Sequence, residues 1–210
     1  YEVLNTQGLV IEKLDNFKWG WRNLSNPKHS FNNLTLINAY IDDKGNMAGA
    51  ASVTSKDYSR YMRMAKIKEG KAKFTEAWLN QDKQDIRVDS LEFTNEDVDT
   101  LPLIQELKFE RKINSSGDFN YFSVNLFSGL DKNPFIADER FSDVFYGATQ
   151  QYVVIGNFTI PENYQFETLP KNLKMIMPDT SIVFTRRLSA TENILSVKII
   201  LEFKAPYYLN

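Results

Sequence analysis

The segment ILSVKIILEFK, residues 194–204, decides the fold class of this chain. Apolar residues occupy alternate positions in it, namely Leu195, Val197, Ile199, Leu201 and Phe203. The positions between them are polar, with Ile200 as the exception. Because successive side chains of a strand point to opposite faces, this period of two predicts a strand with one buried face and one face in water. Such a strand is typical of an antiparallel sheet.

The same alternation occurs upstream, and turn-forming residues separate the alternating segments. Apolar residues alternate along 152–160, 173–177 and 182–188. The clearest turn is Asp42–Asn46, whose Asp, Gly and Asn residues tolerate the dihedral angles of a hairpin. Short strands joined in this way predict a mainly β chain with an antiparallel β-sandwich architecture.

One stretch, near residues 57–81, has helical periodicity instead. Tyr58, Met62 and Ala65 fall at helical spacing, and the stretch contains no proline. Gly70 in its middle predicts a kink or two helices. We therefore expect a helical insertion near 57–81. We also expect two regions: a β-hairpin region with a helical segment over 1–83, and a C-terminal antiparallel β-sandwich domain over 84–210.

Composition excludes several kinds of site. The chain has 25 Lys and Arg against 27 Asp and Glu, so it lacks the basic excess typical of nucleic-acid binding. It has no cysteine, which excludes a thiol nucleophile, a thiolate metal site and a disulfide. Its only histidine is His29. We expect no catalytic residue, no metal and no cofactor. We expect no membrane insertion either, since no run of about 18 apolar residues occurs.

Trp19 and Trp21 are the first candidate site, because their spacing puts both indoles on one face of a strand. If they are exposed, the pair could stack on a sugar ring. If they are buried, they are core or interface anchors, since aromatic side chains bury large areas. The second interpretation is the commoner one for tryptophans.

Charged and polar clusters supply the other candidates. Asp138, Glu139 and Arg140, with Asp143 nearby, predict ion pairs that hold a loop, and Arg140 is a candidate ligand or interface contact. His29 is predicted to be a solvated loop residue. Asp42–Asn46 lacks the acidic spacing of a calcium loop, so it predicts a plain turn. A basic strip on the helix predicts a solvated face; it consists of Arg60, Arg63, Lys66 and Lys68.

Several short motifs follow one another in a recognisable order. They are Val3–Ile11, Trp21, Asp42–Gly49, Asp57–Arg63, Asn125–Phe127, Asn133–Phe135, Glu139–Arg140, Ile160–Tyr164, Glu167–Lys171, Pro178–Asp179 and Ala205–Tyr208. This order resembles the C-terminal region of bacterial exported transglutaminase-like proteins, a domain of unknown function downstream of the catalytic domain. The passage from Asn125 to Arg140 is its most specific part.

The resemblance implies that the chain is a piece of a larger protein whose Cys, His and Asp triad lies upstream. We therefore predict a non-catalytic accessory module that packs against or positions the transglutaminase- or peptidase-like domain of the same polypeptide. The implied location is the periplasm, cell envelope or extracellular space.

Two other functions remain open at this point. The first is a carbohydrate- or glycan-binding module, which requires exposed Trp19 and Trp21, whereas the accessory module predicts that they are buried. The second is a glycoside hydrolase fragment, which requires two carboxylates about 5–10 Å apart.

Overall fold

A computed structural model describes residues 6–12, 18–24, 26, 28–79, 86–130 and 141–209. The strands in these ranges are β1 (Gln7–Glu12), β2 (Lys18–Asn23), β3 (Phe31–Ile41), β4 (Asn46–Asp57), β5 (Ile86–Thr94), β6 (Leu103–Lys112), β7 (Asn114–Ser116), β8 (Phe119–Tyr121), β9 (Val144–Phe145), β10 (Gln150–Thr159), β11 (Leu173–Ile176), β12 (Ile182–Thr191), β13 (Ile194–Phe203) and β14 (Tyr207–Tyr208). The helix is α1 (Tyr58–Leu79). The prediction of a mainly β chain with a helical insertion is confirmed.

Eight strands form one mixed sheet in the order β11-β12-β13-β10-β3-β4-β6-β5. Its neighbouring strands are antiparallel except for β3 and β10, which run parallel with Phe31 opposite Gln150 and Tyr40 opposite Thr159. Parallel neighbours need a long crossover connection, and here everything from β4 to β9 lies between the two strands along the chain. The sheet is therefore mixed, in contrast to the purely antiparallel arrangement that the alternation predicted.

Strands from both predicted regions share this sheet. β3 and β4 come from the segment before residue 84, and they lie between β10 on one side and β6 on the other. The predicted boundary itself falls within 80–85, outside the described residues. The division into 1–83 and 84–210 therefore stays a prediction, although the hydrogen-bonded sheet continues across it.

One side of the large sheet, which we call the covered face, carries the hydrophobic core. Ile37, Val53, Leu107 and Val154 are almost completely buried on this side. α1 packs on it against β3, β4 and β5, and the segments around 122–128 and 160–169 complete the layer. Aromatic pairs join the loops to the strands, with Phe127 5.1 Å from Phe109 between ring centroids. Burial of this apolar area provides the main stabilising free energy of the fold.

The opposite side, which we call the open face, carries side chains that are exposed or half-buried. Leu36 and Ile155 lie near its centre and are 39% and 37% exposed. The helix and loop segments of the described chain pack on the other face. Within the described ranges, α1 and loop segments cover the core. The predicted sandwich architecture is not confirmed by them and stays a prediction.

Local sequence explains the β3–β4 turn and the helix interruption. The Asp42 carboxylate accepts hydrogen bonds from Asn46 N at 2.8 Å and from Asn46 Nδ2 at 2.8 Å, and these bonds lower the pKa of Asp42. This confirms a plain hairpin turn at Asp42–Asn46. Gly70 has non-helical backbone dihedrals inside α1, so the predicted kink is confirmed as well.

Gly49 gives a direct test of strand packing. It faces Ala39 across the β3–β4 pair, and a Cβ there would meet Asn38 O and lie 2.7 Å from Ala39 Cα. Because backbone atoms cannot move aside cheaply, Gly49→Ala is expected to lower the free energy of unfolding by about 1–3 kcal/mol. Urea denaturation measures the change.

Gly20→Ala is the matched control, since a Cβ at Gly20 would meet no atom within 4 Å. Its effect should stay within about 0.5 kcal/mol. Equal destabilisation by the two substitutions would show that the β3–β4 contact is not as close as described.

Candidate functional site

Two predicted site residues, Trp19 and Trp21, lie on β2 of the β1–β2 hairpin and are exposed. Its register places Leu9 opposite Trp21 and Ile11 opposite Trp19. Directly opposed residues of an antiparallel pair share a face, so these four side chains form one cluster, which we call the tryptophan face. Trp19 is 73% exposed, Trp21 64%, Ile11 66% and Leu9 47%.

The prediction that Trp19 and Trp21 are buried is therefore wrong within this chain. Burial requires a covering layer, and the described residues place none on the tryptophan face. Trp78 on α1 shows the contrast, because it stacks on Phe127 with ring centroids 6.3 Å apart and packs against the core. Core anchoring is thus excluded for the hairpin tryptophans. Their exposure is what a glycan-binding module requires, and an accessory module requires that a partner buries them at an interface.

Leu9 and Ile11 belong to the site, and sequence reasoning missed both. The sequence contains the signal for them. Leu9 and Ile11 alternate in one segment, Trp19 and Trp21 alternate in the next, and a short connection separates the two segments. Two alternating segments so close together favour a hairpin, which would have paired them. Neither Leu nor Ile offers a hydrogen-bonding group, so the indole N–H groups are the side-chain donors among these four residues. Gln7 and Asn23 are paired on the same side of the hairpin and place two exposed amide groups beside them.

Arg140, the third predicted site residue, lies outside the described residues, as do Asp138 and Glu139. Their predicted ion pairs stay a prediction. Asp143 is described, and its carboxylate accepts a hydrogen bond from the Tyr207 hydroxyl. This bond raises the pKa of Tyr207 and helps to hold β14 beside β9.

The predicted solvated basic strip is wrong for its first two members. Arg60 is buried, and its Nη2 donates to the Glu96 carbonyl at 3.1 Å and to Asp99 Oδ1 at 3.2 Å. Arg63 also turns toward the sheet, whereas Lys66 and Lys68 are exposed as predicted. Arg60, Arg63 and the buried Ile67 follow the i, i+3, i+7 spacing of one helix face. This spacing could have predicted that both arginines lie on the side of α1 that faces the sheet.

Arg63 forms the centre of a polar cluster between α1 and the covered face. Its Nη1 donates to Gln105 Oε1 at 2.7 Å, and its guanidinium lies 5.5 Å from the centroid of Trp78. Burial lowers the pKa of Arg63 to about 10, so the group keeps its charge at neutral pH. Gln105 is fully buried, and without Arg63 its Oε1 would lose this donor. The cluster therefore positions the helix on the sheet.

His29 is the remaining candidate among the described residues. His29 Nδ1 lies 3.3 Å from Asp57 Oδ1, and the imidazole is exposed, which agrees with the predicted loop histidine. Within the described ranges, no group of three His, Cys, Asp or Glu side chains could hold a metal ion. No helix in these ranges is long and apolar enough to cross a membrane.

The fold and the site together define a mainly β protein with one large mixed sheet, one helix and an exposed apolar hairpin. Residues 118–210 match a family model described as "Domain of Unknown Function with solved-structure structure (DUF3858)". This DUF3858 domain spans less than half of the chain, and it supplies β10 to β13 of the large sheet. Searches of the curated proteins and of the solved structures found no match.

The contact between Arg63 and Gln105 can be tested by a double-mutant cycle. Arg63→Met is expected to lower the free energy of unfolding by about 1–3 kcal/mol, because it leaves a buried acceptor without its donor. Adding Gln105→Leu removes that acceptor and should recover part of the loss. Urea denaturation of the single and double variants provides the coupling free energy.

Lys66→Met controls for the loss of a helix cation, since Lys66 is exposed. Its effect should stay within about 0.5 kcal/mol. Strictly additive effects of Arg63→Met and Gln105→Leu would contradict the described hydrogen bond.

Proposed function

We propose that this chain is a non-catalytic accessory module of a transglutaminase- or peptidase-like cell-envelope protein. In this proposal the tryptophan face docks on the catalytic domain of the same polypeptide and positions it. The observation that carries the proposal is the exposure of four apolar side chains, two of them tryptophans, on one face of a hairpin.

The chemistry of the tryptophan face favours a protein partner. Tryptophan is enriched among the residues that dominate binding free energy at protein interfaces. Burial of a large apolar side chain contributes about 1.5–3 kcal/mol, so four such residues form a substantial anchor. An isolated two-stranded hairpin is marginally stable in water, so docking would also stabilise β1 and β2 themselves.

The transglutaminase-like identity of the partner rests on the resemblance of the short motifs in this sequence. The resemblance puts the catalytic triad upstream, and the chain has no cysteine with which to supply a thiol nucleophile. A periplasmic, cell-envelope or extracellular location belongs to the same proposal.

A glycan-binding module is the second candidate, and the exposure of Trp19 and Trp21 favours it. Indoles that stand on one face, two residues apart, could stack on neighbouring sugar rings. The companions of these indoles weigh against it. Sugar hydroxyls need hydrogen-bonding partners, and Leu9 and Ile11 offer none, so on this side of the hairpin the amide groups of Gln7 and Asn23 would have to provide them.

The docking proposal is tested with this chain and the separately expressed catalytic domain of its polypeptide. Calorimetry should show binding, and binding should shield Trp19 and Trp21 from quenching of fluorescence by acrylamide. Trp19→Ser with Trp21→Ser should raise the Kd at least about tenfold. Loss of a tryptophan that dominates an interface typically costs about 2 kcal/mol or more of binding free energy, and about 1.4 kcal/mol is tenfold in Kd. Circular dichroism confirms that the variant retains the sheet.

Tyr61→Ser is the matched control, because Tyr61 is an exposed aromatic residue on α1 and lies outside the tryptophan face. It should leave binding unchanged. Absence of binding, or equal loss in both variants, would reject docking through this face. Titration with peptidoglycan fragments distinguishes the second candidate: saturable binding that disappears in the tryptophan variant would favour the glycan-binding module.

A further inference from the structure

One row of side chains crosses the open face with an unusual order of charges. The pairing registers place its members side by side on seven neighbouring strands, in the order Arg187, Lys198, Ile155, Leu36, Ser52, Glu106 and Glu92. Two basic residues therefore lie at one end, two acidic residues at the other, and two exposed apolar residues near the middle.

Each end of this row is a pair of like charges placed directly opposite each other on adjacent strands. Arg187 faces Lys198 across β12 and β13, and Glu92 faces Glu106 across β5 and β6. Like charges in such positions destabilise a sheet. None of the four residues forms an ion pair with another described residue, so no close ion pair within the described part of the chain offsets either repulsion.

We propose that the open face binds the open face of a second copy of this chain, forming a symmetric dimer. The two copies are related by a two-fold axis that runs along the strands, between β10 and β3. This rotation reverses the order of strands, so Arg187 on β12 of each copy lies over Glu106 on β6 of its partner, because β12 and β6 are equally far from the axis. Ile155 of one copy then meets Leu36 of the other.

Neighbouring rows agree with the same rotation. One adjacent row is uncharged; it contains Thr185, Ile200, Val153, Leu34, Thr54, Ile104 and Thr94. The row on the opposite side of the charged row contains one charge, Lys108 on β6, which the rotation brings over Ser189 on β12. Beyond the uncharged row, Glu202 on β13 is acidic, although β13 lies on the half of the sheet with the basic end. Lys56 on β4 is basic, although β4 lies on the half with the acidic end. The rotation brings Glu202 over Lys56, because β13 and β4 are equally far from the axis. A self-complementary patch of this kind is what an isologous interface requires.

The open face is large enough for a stable dimer. Seven strands about 4.8 Å apart and about ten residues long cover roughly 30 by 30 Å, which compares with the ~800 Å² that each partner buries in a standard interface. The stacked sheets would lie about 10 Å apart, as in a β-sandwich. The second sheet of the predicted sandwich would then come from the partner copy. This inference does not depend on docking by the tryptophan face.

Sedimentation equilibrium of the 210-residue chain at low salt tests the proposal. The dimer is expected at micromolar concentration, and Leu36→Asp with Ile155→Asp should make the chain a monomer. Trp19→Ser with Trp21→Ser should leave the dimer intact. Circular dichroism and thermal melting confirm that each variant is folded, and the substituted side chains are already exposed in the single chain.

Charge reversal gives the sharper result. Glu92→Lys with Glu106→Lys makes one variant whose row is basic at both ends, and Arg187→Glu with Lys198→Glu makes one that is acidic at both ends. Each variant alone should dimerise at least about tenfold more weakly than the natural chain, because like charges now face each other. An equimolar mixture of the two should form a heterodimer.

The proposal is overturned by a chain that stays monomeric at low salt, by a dimer that survives both charge reversals, or by variants that fail to form a heterodimer on mixing. Loss of the dimer in the tryptophan variant would also overturn it, since association would then occur through the hairpin. Binding of the catalytic domain to the open face in place of a second copy is a further contradicting outcome.

Discussion

The parallel pairing of β3 with β10 is the constraint on which the rest of the structure depends. Among the described strands it is the one ladder that joins β4, β5 and β6 to β11, β12 and β13. Its hydrogen bonds contribute about 1 kcal/mol each. Their main effect is to join the half-sheet of β3 to β6 and the half-sheet of β10 to β13 into one sheet with one continuous hydrophobic face. Neither half could present a core of this width to α1 and the loops alone.

A sheet built in this way has two faces with different requirements. The covered face needs its polar groups satisfied, which explains why Arg63 and Gln105 bond to each other beneath α1. The open face stays in water in a single chain and carries charges that repel their neighbours. The DUF3858 segment, residues 118–210, contains β10 to β13, and these strands contribute side chains to both faces. It does not contain β3 and β4, which lie at the centre of the sheet.

Sequence periodicity predicted the elements of this fold better than their arrangement. The alternation in 194–204 correctly places Leu195 and Val197 in the core, and Gly70 marks the interruption of α1. Alternation does not say which strands are neighbours, so a parallel contact between residues 119 positions apart could not be predicted. It also cannot say whether a covering layer exists, which is why Trp19 and Trp21 were expected to be buried. Arg60 and Arg63 were misplaced because a charged helical residue usually faces water.

The most direct measurement is a disulfide cross-link between β3 and β10, since the natural chain has no cysteine to interfere. Asn38 and Asn157 are register partners, with Asn157 Nδ2 3.3 Å from Asn38 Oδ1, so Asn38→Cys with Asn157→Cys should form an intramolecular disulfide on mild oxidation. Asn38→Cys with Ser196→Cys is the control, because Ser196 lies one strand further away, roughly 10 Å from Asn38, beyond the reach of a disulfide. Mass spectrometry should find the first pair oxidised within a single chain and the second pair as free thiols. Free thiols in the first pair, with a cross-link in the second, would contradict the parallel pairing on which this account rests.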